Sequence, residues 1–504
     1  MYFYRMGWLQ RNREHLLVTG IYFLALAVAY FPLVTKNFSA DDFRVLWRVC
    51  HDQQFVTEGF FRMVSDVTLY VNYLVGGYQP VYFNLFNLLL HLACSLLIYL
   101  FCLQTAIVWS TGGRYFAFCS GFFFLLYPFH SEAVIWIVGR GASLSTFFAL
   151  IAICVSVSDL TNRWKYLLAG LSYLTGLLAY EAILSLPLIV MLIHWMKYRD
   201  KKAVGYLSVF FGISIMIYFA LRVSVSGSVF GAYGAGIAGL SSQQFAGQFL
   251  RVMARLIAPP NPQSTRFLFF LFVALAGWGT VVFFYVRSVR ARKASLVPFG
   301  VIALLFLCSL VVAVSFPVST RTTSTDRLLY FPSVFICIAL SLMVSELATG
   351  RIKRMAAVAV LGIGGLWGIM ETNRNWSFAS DSTTRILAVA RELSGAGRHV
   401  FLLNVPDEHK GAYMLAGVLD EALLINGADT SRVHQVNLLL KEERGVEGRI
   451  RPVSKGDGLY IFPGVRINRV DSATSRIRYL GREWICRAGD QIWYWDRAEF
   501  RRLE

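Results

Sequence analysis

Long apolar runs recur along the chain, separated by short polar turns. Reading runs of about 17 to 25 residues as membrane helices gives about eleven. Their extents are 16–35, 81–103, 114–129, 134–158, 164–180, 182–197, 203–222, 266–286, 295–316, 328–347 and 353–371. The pattern predicts a mainly α, polytopic membrane protein. Residues 1–371 form its transmembrane domain, 372–394 a linker, and 395–504 a small soluble α/β or mostly-β domain. In that last part short β-leaning runs, Val400–Leu403, Val436–Leu440, Gly458–Phe462 and Gln491–Trp495, alternate with charged turns.

Basic residues orient the helices. The N-terminus with Arg5, Arg11 and Arg13, the pair Arg163 and Lys165, the run Lys197–Lys202, the cluster Arg287, Arg290, Arg292 and Lys293, and Arg351, Lys353 and Arg354 all alternate onto one side. By the positive-inside rule that side is cytoplasmic. The outward side then receives the loop 36–80, turns near His130 and Glu181, the loop 223–266, the turn 321–327 and the soluble domain. In the first loop, Phe43, Leu46, Trp47 and Cys50 have helical spacing, and so do Phe61, Val64, Val67 and Val71. Helices of this kind lie in the membrane interface. The 223–266 loop opens on Gly- and Ser-rich sequence, fitting either a lid over an outward site or a simple connector.

Composition agrees with lipid as the solvent. The 504 residues are 56% hydrophobic and 15% charged, against about 25% charge in ordinary soluble domains. Mean hydropathy is +0.54. The net charge of +18 is explained by cytoplasmic loops meeting anionic lipid headgroups, with no call for nucleic acid. The first apolar run is read as a retained anchor because no polar cleavage region follows it. Of the 8 Cys, six lie in apolar runs, while Cys50 and Cys486 fall in outward segments where an oxidising compartment would permit a disulfide.

Against this background ionisable residues beside the helices stand out, because a charge at the bilayer centre costs about 2.5–3.5 kcal/mol or more. They gather at outward ends: Asp41 and Asp42, then His130, Glu132 and Arg140, then Glu181, then Arg321, Asp326 and Arg327. Separate hairpins thus deliver acids, bases and a histidine to one level. Bland roles fit some of them equally. Glu132 pairs with Arg140 or Arg327 in one reading, and His130 caps a helix. Asn84, Asn87 and His91, at i, i+3 and i+7 of one run, are read as interhelical hydrogen-bonding residues.

The order of these motifs resembles the GT-C polytopic glycosyltransferases, especially the O-mannosyltransferase-like branch whose eukaryotic members carry tetratricopeptide repeats. The acidic pair follows the first span, and Tyr78-Gln79-Pro80 leads into a span containing His91. Pro128-Phe129-His130-Ser131-Glu132-Ala133-Val134 then runs to Gly139-Arg140, Glu181 precedes Pro187, and Asp326-Arg327-Leu328-Leu329-Tyr330-Phe331-Pro332-Ser333 follows. The chain departs from relatives at Gln79, often basic there, at Gly141 and Ala142, where an acid is common, and at Asp326, where Glu is more usual. No tetratricopeptide pattern occurs in the C-terminal region.

The resemblance implies transfer of a sugar from a polyprenyl-phosphate donor to an acceptor hydroxyl on a glycan or protein outside the cytoplasm. One carboxylate, Asp41 with Asp42 as the fallback, would act as general base on the acceptor. Arg327, Arg321 or Arg140 would stabilise the leaving phosphate. His130, Glu132, Glu181 and Asp326 would orient substrate. No ligand spacing demands a metal, although an acidic pair can hold a divalent cation. A flippase of lipid-linked sugar, or a lipid-linked glycan polymerase or ligase, shares many of these features. Compact loops and the missing repeats favour a bacterial inner membrane, with the N-terminus cytoplasmic and the C-terminal domain periplasmic.

Overall fold

In a computed structural model of the protein, the described residues are 8–57, 61–105, 113–227, 229, 241–292, 295–395, 397–439, 449–456, 458–461, 464–471 and 474–503. The chain divides into two units. The first comprises Met1–Val34, Gln54–Asn72 and Tyr82–Asn373; the second comprises Thr35–Gln53, Tyr73–Val81 and Arg374–Glu504.

The first unit is helical, because a chain in lipid must satisfy its backbone polar groups internally. Six helices among the described residues are long and apolar enough to cross a membrane: Arg13–Leu33, Pro80–Gln104, Lys201–Val225, Ser264–Ala291, Asp326–Leu347 and Arg351–Gly395. Shorter apolar helices are Arg114–Leu125, Arg140–Ser156, Leu186–Tyr198 and Val297–Ser309. The protein is an integral membrane protein with the mainly α architecture its hydropathy predicts. Arg140–Ser156 packs on Asn162–Ala179, which packs in turn on Lys201–Ser226, and Tyr330–Leu347 lies against Arg114–Leu125.

Local signals set the helix ends. Pro80 opens Pro80–Gln104, where its missing N–H costs nothing. The Asp200 carboxylate accepts from the N–H groups of Lys202 and Ala203, and Gly227, at φ +68°, closes the same helix. Ser241 and Gln244 form a reciprocal capping box before the helix Ser242–Arg255. The loop expected over 223–266 therefore contains a helix; its residues 228 and 230–240 lie outside the described residues.

The second unit has two principal sheets. In the first, strand β1 (Val400–Leu403) is flanked by β5 (Val433–Gln435) and β12 (Gln491–Trp495), both parallel to it. An antiparallel edge strand, β13 (Phe500–Arg502), pairs with β12. All four β1 residues are buried, as a central parallel strand requires. The other sheet is an antiparallel meander of β7 (Val453–Lys455), β8 (Gly458–Ile461), β9 (Val465–Arg469), β10 (Ser475–Tyr479) and β11 (Arg482–Cys486). Ile461, Val465, Ile467 and Ile477 of the meander share one core with Phe401, Leu403, Ile492 and Tyr494 of the first sheet.

Three expectations change here. Residues 372–394 are helical, continuing Arg351–Gly395 without a break. From Arg374 on, that helix buries Trp376, Ala379, Ile386, Leu387 and Ala390 at helical spacing. The segment after Asp41 is a helix, Asp41–Leu46, continued by a wider, π-helical turn Trp47–His51. Its apolar face is buried within the protein. Phe43, Leu46, Val49 and Cys50 are buried, and Arg44 bonds Glu421 and the Gly417 carbonyl of the C-terminal region. Finally, Cys50 and Cys486 are both buried thiols, and no disulfide joins them.

Two buried asparagines tie the neighbouring strand ends together. The Asn404 N–H donates to the Asn437 side-chain oxygen, and Asn437 Nδ2 donates back to Asn404 Oδ1, both at 2.8 Å. Asn404 sits at φ +54°, a backbone state that asparagine tolerates better than most residues. Asn437→Ala leaves a buried N–H and a buried carbonyl without partners. It is expected to destabilise this unit by about 1–3 kcal/mol, read as a lower unfolding midpoint of the full-length protein in detergent.

Candidate active site

In the second unit the two acids part company. Asp42 is buried, and its carboxylate accepts from the Ser39 N–H at 3.0 Å and from Ser39 Oγ at 3.4 Å. It holds the turn that starts the helix. Asp41 is exposed and forms no hydrogen bond or ion pair among the described residues. The residue before it, Ala40, is held at φ +46°, and its N–H donates to the Met414 carbonyl at 2.6 Å. A non-glycine residue in that region stores of order 1–3 kcal/mol, and such strain clusters at functional positions. One carboxylate thus builds the turn and the other is presented by it.

In the first unit the remaining candidates form three arrangements. Glu132, fully buried on the short helix Ser131–Val134, accepts from the Arg327 N–H at 2.8 Å and makes a short ion pair with its guanidinium. That guanidinium also lies over the Trp136 ring, 5.1 Å from its centre. Of the two partners the sequence offered for Glu132, Arg327 is the one taken. Asp326 points elsewhere: Arg255 Nη2 donates to both its oxygens, at 2.7 and 2.6 Å, and neither side chain is exposed. Arg255 further donates to the Ala258 carbonyl and stacks on Phe129. Asp326 is therefore engaged in holding helices and does not present itself to substrate.

Glu181 pairs with Arg222 at 2.6 Å and lies 3.9 Å from Arg62, which covers the Tyr180 ring. Arg140 is wholly buried. It donates to Asn72 Oδ1 at 2.6 Å and to the Phe83 carbonyl at 3.1 Å, and it stacks on Phe86. These contacts join helices.

His130 is enclosed by Phe124, Tyr127, His91 and Tyr330. Ser333 Oγ donates to the Tyr330 carbonyl, which makes His130 Nε2 the donor to Ser333 Oγ, at 2.7 Å. Burial, with His91 alongside, holds the His130 imidazole well below the ordinary histidine range, so it stays neutral. Arg321 differs from the other arginines. It is exposed, on a loop pinned by Ser319 and by a bond from the Asn261 N–H to the Thr320 carbonyl, and its guanidinium has no acceptor among the described residues. Among the described residues no three His, Cys, Asp or Glu side chains gather as around a metal ion.

The sequence reading missed Arg255, Arg222 and Arg62, the partners of Asp326 and Glu181. Arg255 lies in the stretch 223–266, whose Gly- and Ser-rich opening reads as loop. Arg222 ended an apolar run, where a basic residue reads as an ordinary helix end, although its place opposite the basic loops was the available signal.

No family model matches the chain. Over 178 residues it is 28% identical to protein O-mannosyl-transferase TMTC2 of Homo sapiens, covering 31% of this chain and 20% of the human protein. Over 97 residues it is 37% identical to the Mus musculus protein of that name, covering 19% and 11%. Part of the chain is similar in sequence to protein O-mannosyl-transferases. The resemblance read from its motifs is borne out, and the matched region spans about a fifth or less of these relatives' length. Compared with the crystal structure of ArnT from Cupriavidus metallidurans bound to undecaprenyl phosphate, the TM-score is 0.45 at 13% identity, over 83% of this chain and 89% of that one.

The Arg255–Asp326 pair sets a stability test for this protein. Asp326→Ala strands a buried guanidinium and is expected to cost about 3–5 kcal/mol. The double change Arg255→Met with Asp326→Leu removes both charges and should restore most of that loss. Unfolding midpoints of the three proteins in detergent check the order.

Proposed function

We propose that the protein is a membrane glycosyltransferase that moves a sugar from a polyprenyl-phosphate donor to an acceptor hydroxyl outside the cytoplasm. The observation that carries this reading is the division of labour between Asp41 and Asp42. A general base needs a carboxylate that is ionised and not already occupied, and Asp41 is exposed and unpartnered among the described residues. The partial likeness to O-mannosyl-transferases supports the same class.

In the proposed step the acceptor oxygen attacks the anomeric carbon and its proton passes to Asp41. The bond from that carbon to the phosphate oxygen breaks, inverting the carbon, and the lipid leaves as its phosphate. That leaving group is a weak base, so it needs positive charge more than a proton. Arg321, whose guanidinium has no acceptor among the described residues, suits this better than Arg140 or Arg327, which hold the bundle together. Glu181, with Arg222 and Arg62, remains a candidate for orienting substrate. The outward orientation follows the loop charges, with the C-terminal domain on the side of transfer.

The test is transfer of radiolabelled sugar from polyprenyl-phosphate donors in membranes containing matched amounts of each protein. Asp41→Asn is expected to lower transfer by about 10²–10⁴-fold. Asp42→Asn should mainly lower stability, and Arg321→Gln should lower turnover while leaving the fold intact. Undiminished transfer in Asp41→Asn sinks the base assignment. Movement of lipid-linked sugar across the bilayer without any transfer sinks the enzyme reading and puts a flippase in its place.

A further inference from the structure

Within the first unit, an apolar groove of about 820 Å³ runs between the helices Arg13–Leu33 and Arg351–Gly395. Its volume lies in the range of ligand-holding clefts. Phe118 and Phe122, stacked with ring centres 5.4 Å apart, contribute to its lining. Leu24 and Val28 line it from one helix and Met355 and Ile363 from the other, all more than half exposed.

The groove exists because one helix is pulled in at a single place. A Cβ on Gly365 would come within 2.2 Å of the Leu126 carbonyl oxygen, one on Gly368 within 2.7 Å of Pro128, and one on Gly362 within 3.0 Å of Phe122. Only glycine allows the helix that close to the 122–128 segment. Toward Arg351 the same helix carries Met355 and Val358 instead, and the cleft opens.

The basic end of the groove is built. Arg354 lies over the Tyr115 ring, 5.1 Å from its centre, and the Tyr115 hydroxyl donates to the Arg354 carbonyl at 3.0 Å. Arg354 Nε donates to the Ala348 carbonyl, so the guanidinium is aimed while its two terminal nitrogens have no acceptor among the described residues. Arg351, one helical turn earlier, is exposed and has no partner among the described residues either. One oriented guanidinium and a second, exposed one beside it at the end of an apolar groove on membrane helices complement one kind of ligand, a lipid with an anionic head and an apolar tail.

We propose that this groove is a binding site for an anionic phospholipid, its phosphate on Arg351 and Arg354 and an acyl chain along the cleft. By the loop charges this is the cytoplasmic end of both helices, so the ligand is a lipid of the inner leaflet. The proposal is independent of the sugar-transfer reading.

Native mass spectrometry of the full chain in detergent tests it, with phosphatidylglycerol, phosphatidylcholine and undecaprenyl phosphate added at equal concentration. Phosphatidylglycerol should be retained in preference to phosphatidylcholine. Arg351→Gln with Arg354→Gln should weaken phosphatidylglycerol binding about tenfold. Ala359→Phe, an exposed position in the cleft, should displace the lipid while leaving the unfolding midpoint unchanged. Arg351→Gln alone, which disturbs no contact within the protein, should give a smaller loss in the same direction. Equal retention of the two phospholipids overturns the proposal. So does phosphatidylglycerol binding that survives both the charge and the cleft variants, or preferential capture of undecaprenyl phosphate that Ala359→Phe abolishes.

Discussion

The helical unit depends on one constraint: backbone groups freed where helices break must find partners inside the protein. The helix Pro80–Gln104 supplies three of them from one face. Asn84 Nδ2 donates to the Val34 carbonyl, at the end of the first helix. Asn87 Nδ2 reaches the carbonyls of Val134 and Trp136, in the irregular stretch before Arg140. His91 meets the Leu125 carbonyl, where Arg114–Leu125 stops, and the Tyr330 hydroxyl. Without these side chains the polar turn that carries His130, Glu132 and Arg140 would leave buried carbonyls unpaired, at roughly 1–3 kcal/mol each. The turn exists in that form because a neighbouring helix completes its hydrogen bonding.

Asp326 and Arg327 work the same way with charge. Being adjacent at the start of a helix, they project to different neighbours, Arg255 on one side and Glu132 on the other. Two chain segments more than 100 residues apart are thereby fixed to a single helix start. Buried pairs of this type are weak evidence for net stability, since desolvation offsets much of the attraction, but removing one partner is expensive. Their effect is to specify which helices meet.

Much of this was legible in the residue pattern. All eleven apolar runs are helical over most of their length, and Asn84, Asn87 and His91 do bond between helices as their spacing predicted. The small domain shows β1, β8 and β12 where apolar runs were read. What was not legible had a physical reason. The stretch 372–394 looked like a linker because Arg374, Asp381, Arg385 and Arg391 make it polar, yet it contains no Gly or Pro to stop a helix. Its Trp376–Ala379–Ile386–Ala390 stripe is the face it buries. Partner choice was also beyond reach: a sequence can offer Glu132 two arginines but does not give the distances that decide between them.

The same pairings bear on the candidate base. Five acids were singled out beside the helices, and four are occupied. Glu132 and Asp326 each hold an arginine, Glu181 holds Arg222, and Asp42 holds its own turn. A carboxylate that is already the acceptor of several oriented donors cannot take a proton without breaking them, so these four are poorly placed to act as bases. Asp41 has no such bonds to lose among the described residues. Its neighbour supplies the order that Asp41 lacks: Asp42 fixes the turn, Ala40 is held at positive φ, and the exposed carboxylate is carried on that turn. Position in sequence made the two aspartates equivalent. Hydrogen bonding makes one of them scaffold and leaves the other available for chemistry.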